Sequence, residues 1–250
     1  MRRWIASAVL AWLAADTVAA QTPGPAFEVA SVKVNGSGQA VMRVTAPPGT
    51  GRFDATNVSP RLLILNAFGL RDFQLDGAPP WTESERFDVA GRAAASATRD
   101  EIAAMVRTLL ADRFRLRTHR ETREMPVYAL VAATADKRPG PGLKMSAAET
   151  RTNISPTSIK AVSMTMARLA LSLSAVVGRV VTDETGLQGA YDLELTFSRE
   201  GPLPPGAPPA DPDAPSIFTA LREQLGLRLE GRRGPVEVLV VDGIERPTPD

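Results

Sequence analysis

"PVYALVAATADKR" (126–138) and "PVEVLVVDGIERP" (235–247) are nearly one stretch written twice. Each opens on a proline, runs through aliphatic residues that suit a strand, and ends in charged and turn-forming residues. The similarity extends upstream. "TRDEIAAMVRTLLADRF" (98–114) precedes the first copy and "IFTALREQLG" (217–226) the second. In the former, Ile102, Met105, Val106, Leu109 and Leu110 fall at helical spacing, with Thr98 or Asp100 as the cap. Before those helices lie "ERFDVAGRA" (85–93) and "AYDLELTF" (190–197), which share an aromatic-Asp-aliphatic centre at Phe87-Asp88-Val89 and Tyr191-Asp192-Leu193.

Further upstream, "RFDATNVS" (52–59) leads into "PRLLILNAFGL" (60–70), and "TSIKAVS" (157–163) leads into "MTMARLALSLSAVVG" (164–178). Asn57 or Ser59 caps the earlier helix, Pro60 occupies its first turn, and Gly69 and Gly178 are C-caps. The final strands are read as "RFRLRTHRE" (113–121) before Pro126, and "LRLEGRRG" (227–234) turning through Gly231 to Gly234 into a hairpin. The expectation is an α+β fold: two similar strand-helix-strand-helix-strand-strand units, with helices packed on mixed sheet. The boundaries follow as a first unit over 21–135, a Pro/Gly/Lys/Thr-rich linker over 136–157, and a second unit over 158–250. A Pro-rich loop spans 198–215, and "FEVASVKVN" and "AVMRVTA" add N-terminal strands to the first unit.

The first twenty residues read as a secretory signal peptide. Arg2 and Arg3 precede an apolar run from Trp4 to Ala15, and Val18-Ala19-Ala20 supplies a cleavage site. Ordinary secretion is favoured over a twin-arginine route. No later stretch reaches the roughly 18 apolar residues of a membrane span, so a soluble periplasmic or extracellular protein is expected. The absence of cysteine excludes a disulfide framework and a thiolate metal site. Removing residues 1–20 takes two of the 29 basic and one of the 28 acidic residues, leaving 27 of each. That balance gives no support to bulk attraction for nucleic acid or anionic membrane.

"FEVASVK", "RFDATNVS", "LLADRFRLRTHRETREMPVYALV", "DETGLQGAYDLELTF" and "IFTALREQLGLRLEGRRGPVEVLVVDGIERP" together resemble a paralogous family of secreted acidobacterial proteins of unknown function. The resemblance implies an envelope context, because members are often encoded near BlaR-type sensor peptidases. It supplies no catalytic residues. Each half is also similar to the short N-terminal module of secretins and TonB-dependent transducers, which implies periplasmic protein–protein docking.

His119 is the only histidine, so a Ser-His-acid triad has one available base, and no G-x-S-x-G nominates a serine. Neither a cofactor nor a metal site is predicted. Paired acids for glycoside hydrolysis would have to come from Asp183-Glu184, Asp211/Asp213 or the matched Asp88 and Asp192, which recur in strands and are expected to face away from the core. Period two places Arg113, Arg115, Arg117 and His119 on one strand face, opposite Phe114 and Leu116, where arginines could grip an acidic partner. The alternative is a solubilising outer face. Trp81, after Pro79-Pro80, is either a ligand platform in a loop or a plug on a small core. The reading is therefore a non-enzymatic binding module of the bacterial cell envelope, with an envelope protein or acidic ligand as partner. Its rival is a hydrolase of cell-wall or extracellular polymer.

Overall fold

The structure is a computed structural model describing residues 24–38, 41–134, 139–198 and 213–247. The predicted signal peptide and most of the Pro-rich loop lie outside these residues. The elements run β1 (Val29–Val34), β2 (Arg43–Thr45), β3 (Arg52–Val58), α1 (Pro60–Phe68), β4 (Leu75–Asp76), α2 (Trp81–Ser84) and β5 (Phe87–Arg92). There follow α3 (Arg99–Arg113), β6 (Arg117–Ala132), β7 (Lys144–Met145), β8 (Arg151–Ser155) and β9 (Ser158–Thr165). The chain ends with α4 (Met166–Val177), β10 (Val181–Asp183), β11 (Ala190–Thr196), α5 (Ile217–Leu225) and β12 (Leu227–Gly243). This is an α+β fold.

Local chemistry sets the helix ends. The Ser59 hydroxyl, rather than Asn57, accepts from the Leu62 N–H at 3.3 Å, and Gly69 closes α1 in the left-handed region at φ 66°. Thr98 and Glu101 form a reciprocal capping box on α3. Thr165 and Ser216 cap α4 and α5.

Three sheets form. An N-terminal sheet has the order β1-β5-β3-β2 and a C-terminal sheet the order β7-β11-β9-β8, each antiparallel throughout. Residues 144–155, read from composition as linker, supply β7 and β8 of the latter. The central sheet, β10-β6-β12-β4, is mixed. In it, β6 and β12 pair antiparallel along their whole lengths, from Leu227↔Ala132 to Gly243↔Arg117.

That pairing corrects the hairpin reading. The chain does not turn at Gly231–Gly234; it stays extended because β6 supplies a partner throughout. The prolines fit for a specific reason. The Tyr128 N–H points away from β12, to the Val180 carbonyl at 2.8 Å. Pro126 and Glu124 share that orientation by period two, and Glu124 is the residue opposite Pro235. Neither proline nitrogen therefore faces the ladder, and no ladder bond is lost.

The order β3-α1-β4-β5-α3-β6 recurs as β9-α4-β10-β11-α5-β12, but the halves exchange parts. Short β4 runs parallel to β12, through Leu239↔Leu75, and short β10 runs parallel to β6, through Val181↔Tyr128. The cores are exchanged likewise. One core joins the N-terminal sheet, α1 and α3 with Leu239 and Val241 of β12. The other joins the C-terminal sheet, α4 and α5 with Leu130 of β6. Each half thus completes the other's hydrophobic core.

Candidate functional site

The arginine row is not a strand face. Arg113 is the last residue of α3, and Arg115 sits in the left-handed region at φ 51°. The Leu116 N–H returns to the Leu110 carbonyl at 3.1 Å. Only Arg117 belongs to β6, where its guanidinium lies against Gly243. Phe114 and Leu116 are buried and the three arginines exposed, as the alternation requires. Here, however, a helix end and a turn produce it, not one continuous strand.

His119 follows on β6, and its Nδ1 lies 2.8 Å from Asp242 Oδ1 on β12, with both side chains about half exposed. Trp81 opens the short helix α2 rather than standing in a loop. It packs half-buried against the first core, and the Arg246 guanidinium covers its ring at 5.0 Å while bonding Glu85 at 2.6 Å. Its face is occupied.

The matched aspartates have a shared structural task. Asp88 Oδ1 accepts from the Asn57 N–H at 2.9 Å and from Asn35 Nδ2 at 2.7 Å. Asp192 Oδ1 accepts from the Ser163 N–H at 3.0 Å. Asn57 and Ser163 are both left-handed, at φ 54° and 56°, and the β3–β5 and β9–β11 ladders each slip register beside them. Each carboxylate thus holds one β-bulge. The Ser146 hydroxyl and the Ser163 N–H lower the pKa of Asp192. The two aspartates serve separate sheets.

The central sheet carries a repeated ion cluster. Arg123 of β6 reaches across β12 to Asp76 of β4 at 2.5 Å and bonds Glu121 at 2.9 Å. Arg232 of β12 reaches across β6 to Glu184, just beyond β10, at 2.7 Å and bonds Glu230 at 3.0 Å. Between the two lie Val127, Val236 and Val238, a small buried cluster of their own. The arginine stems cover apolar strand while their heads meet carboxylates. Hydrogen bonds from Arg123 lower the pKa of Asp76 and of Glu121, and one from Arg232 lowers that of Glu230. These groups satisfy one another. Among the described residues, no three His, Asp or Glu side chains stand close enough to hold a metal, and no helix is long and apolar enough to cross a membrane.

The surface beside α4 lacks such satisfaction. Helix α4 carries a single charge, Arg168, in twelve residues. Its inner face buries Met166, Leu169, Ala170 and Leu173. Its outer face presents Ala167, Leu171 and Ala175 at four-residue spacing, with Leu171 60% exposed. A helix with an apolar stripe on its outer face as well as its inner one suits a place between two layers, and among the described residues no second layer covers Leu171. The groove beside it measures about 860 Å³; Ile154 of β8, 52% exposed, forms the opposite wall, with Val176 at one end. Arg71 and Arg168 also line it and no acidic residue does. Composition reasoning missed this groove because it assigned β8 to a linker, yet "MARLALSLSAVV" with one charge was a readable signal.

No curated protein and no solved structure matches the chain. A family model does, over residues 61–244, and its description is "Protein of unknown function (DUF3738)". That span runs from α1 to just past β12 and takes in the second core, the central sheet, the groove and the part of the first core that lies beyond β3, so the chain belongs to the DUF3738 family.

Proposed function

We propose that this protein is a non-enzymatic binding module of the bacterial cell envelope, exported to the periplasm or beyond, and that it docks a partner in the groove between β8 and α4. The observation that carries this reading is the outer stripe Ala167-Leu171-Ala175 facing Ile154 across an open groove. Exposed apolar surface flanked by charge is the mark of an interaction site. The ion clusters of the central sheet, by contrast, are internally satisfied, as the Asp76–Arg123–Glu121 and Glu184–Arg232–Glu230 sets show. The acidic partner expected from sequence is retained, with its contacts moved from Arg113, Arg115 and Arg117 to the arginines of the groove.

The test is crosslinking capture from envelope extract with wild-type protein and with Leu171→Glu. Both side chains at this exposed position leave the core untouched, so far-UV circular dichroism should be unchanged. A partner captured by wild type and lost by the variant supports the reading; equal capture by both contradicts it.

The rival hydrolase has one observation in its favour, the His119–Asp242 pair, which is the base–acid half of a triad. Among the described residues no hydroxyl is bonded to His119 to complete it. Envelope-polymer hydrolysis that disappears in His119→Ala would establish that rival.

A further inference from the structure

We propose that the occupant of the groove is an extended acidic segment of a partner protein, which adds to β8 as a fifth strand of the C-terminal sheet. This rests on the reading of the groove as the docking surface and names what fills it. Strand β8 stands last in the order β7-β11-β9-β8; one edge pairs with β9 and, among the described residues, the other pairs with nothing. Five residues present about 17 Å of edge at 3.3–3.4 Å per residue. Natural edges are blunted by bulges, prolines or inward charges. The sequence of β8, RTNIS, has no proline, and its register with β9 is unbroken from Arg151↔Val162 to Ser155↔Ser158.

The register also defines two faces. Thr152 and Ile154 lie opposite Ala161 and Ile159, both buried on the helix side. Arg151 and Asn153 lie opposite Val162 and Lys160, on the open side. A strand added to β8 would place alternate side chains against Ile154, Leu171 and Val176, and the intervening ones beside Arg151. That calls for apolar residues alternating with polar ones.

Charge selects acids among the polar ones. Lys160 is already bonded to Glu194 at 2.6 Å. Arg151, on the side where those residues fall, has no ion-pair partner among the described residues, nor do Arg71 and Arg168 along the groove, and an arginine offers two parallel donors to a carboxylate.

The probe is an eight-residue peptide of alternating glutamate and valine, followed by fluorescence polarisation. Controls are the lysine–valine analogue and glutamate–valine versions N-methylated at every second amide, in both phases. The glutamate peptide should bind, and the lysine analogue should bind at least about tenfold more weakly, the equivalent of about 1.4 kcal/mol. At least one N-methylated phase should lose binding, since it removes the N–H groups that meet β8 and leaves the side chains in place. Binding should weaken with added salt and in Arg151→Glu, a second exposed position, on the face that meets the glutamates. Equal binding by the glutamate and lysine peptides, or by all N-methylated forms, would overturn strand addition by an acidic segment. So would failure of every peptide while Leu171→Glu still abolishes capture from extract, and that result would leave the docking surface standing. Capture unchanged in Leu171→Glu would instead remove the surface itself.

Discussion

Replacing Leu225 by Ala should destabilise both halves of the molecule together. Leu225 ends α5 and is fully buried in the second core. Its surroundings cannot easily close over a void. The Gly140 and Gly142 N–H groups bond the Leu225 and Gln224 carbonyls at 3.0 and 2.9 Å, and a Cβ on Gly140 would stand 2.2 Å from the Leu225 carbonyl carbon. Poor relaxation puts the loss in the upper part of the usual range of about 2–5 kcal/mol for a buried leucine. With a urea m-value near 3 kcal/mol/M, a loss of about 4 kcal/mol moves the midpoint by about 1.3 M. The assay uses an asymmetry in the sequence. In a chain beginning at residue 21, Trp81 is the sole tryptophan, and it packs on the first core. Leu130, Leu239 and Val241 tie the cores together through β6 and β12. Trp81 fluorescence and far-UV circular dichroism should therefore report one coincident transition, displaced equally. A Trp81 transition that stays in place while the dichroism curve splits would refute the exchange of cores.

Asp88→Ala should cost about 1–3 kcal/mol in urea unfolding, because the N–H of the left-handed Asn57 loses a charged acceptor. Asp88→Asn, which keeps an oxygen there, should cost less. Acid should destabilise the fold through Asp76, Glu121, Asp192 and Glu230, whose pKa values are lowered in the folded state. Their contribution is complete above the unfolded carboxylate range near pH 4 and is lost as pH falls through the lower folded values. Urea midpoints measured from pH 7 downward should show that fall, and Arg123→Met should flatten the part due to Asp76 and Glu121; an unchanged slope would contradict it.

Much of the fold was legible because periodicity and caps are local. The stripe Ile102, Val106, Leu109 and Leu110 is buried as its spacing demands, and Gly69 and Gly178 end their helices in the left-handed region. Pairing was less legible. Alternation says which face of a strand is apolar but not which strand lies beside it, so the parallel union of Leu75 with Leu239 left no local mark. Gly231-Arg-Arg-Gly234 carries turn punctuation, yet a long partner strand keeps it extended. The arginine row failed for a related reason. Burial alternates through Phe114 and Leu116 whether the backbone is a strand or a helix end closed by a left-handed Arg115. The groove depended on recognising β8, whose five residues, mostly exposed, carry too little hydrophobic alternation to announce a strand.

The most direct test of the docking site is amide hydrogen exchange across the chain, with and without the saturating glutamate–valine peptide. The account predicts new protection at Thr152, Ile154 and their neighbours in β8, with smaller gains along the outer face of α4 and none around Trp81 or Arg113–Arg117. Protection confined to Trp81, to the Arg113–Arg117 turn or to the His119–Asp242 face, with β8 exchanging as before, would contradict it.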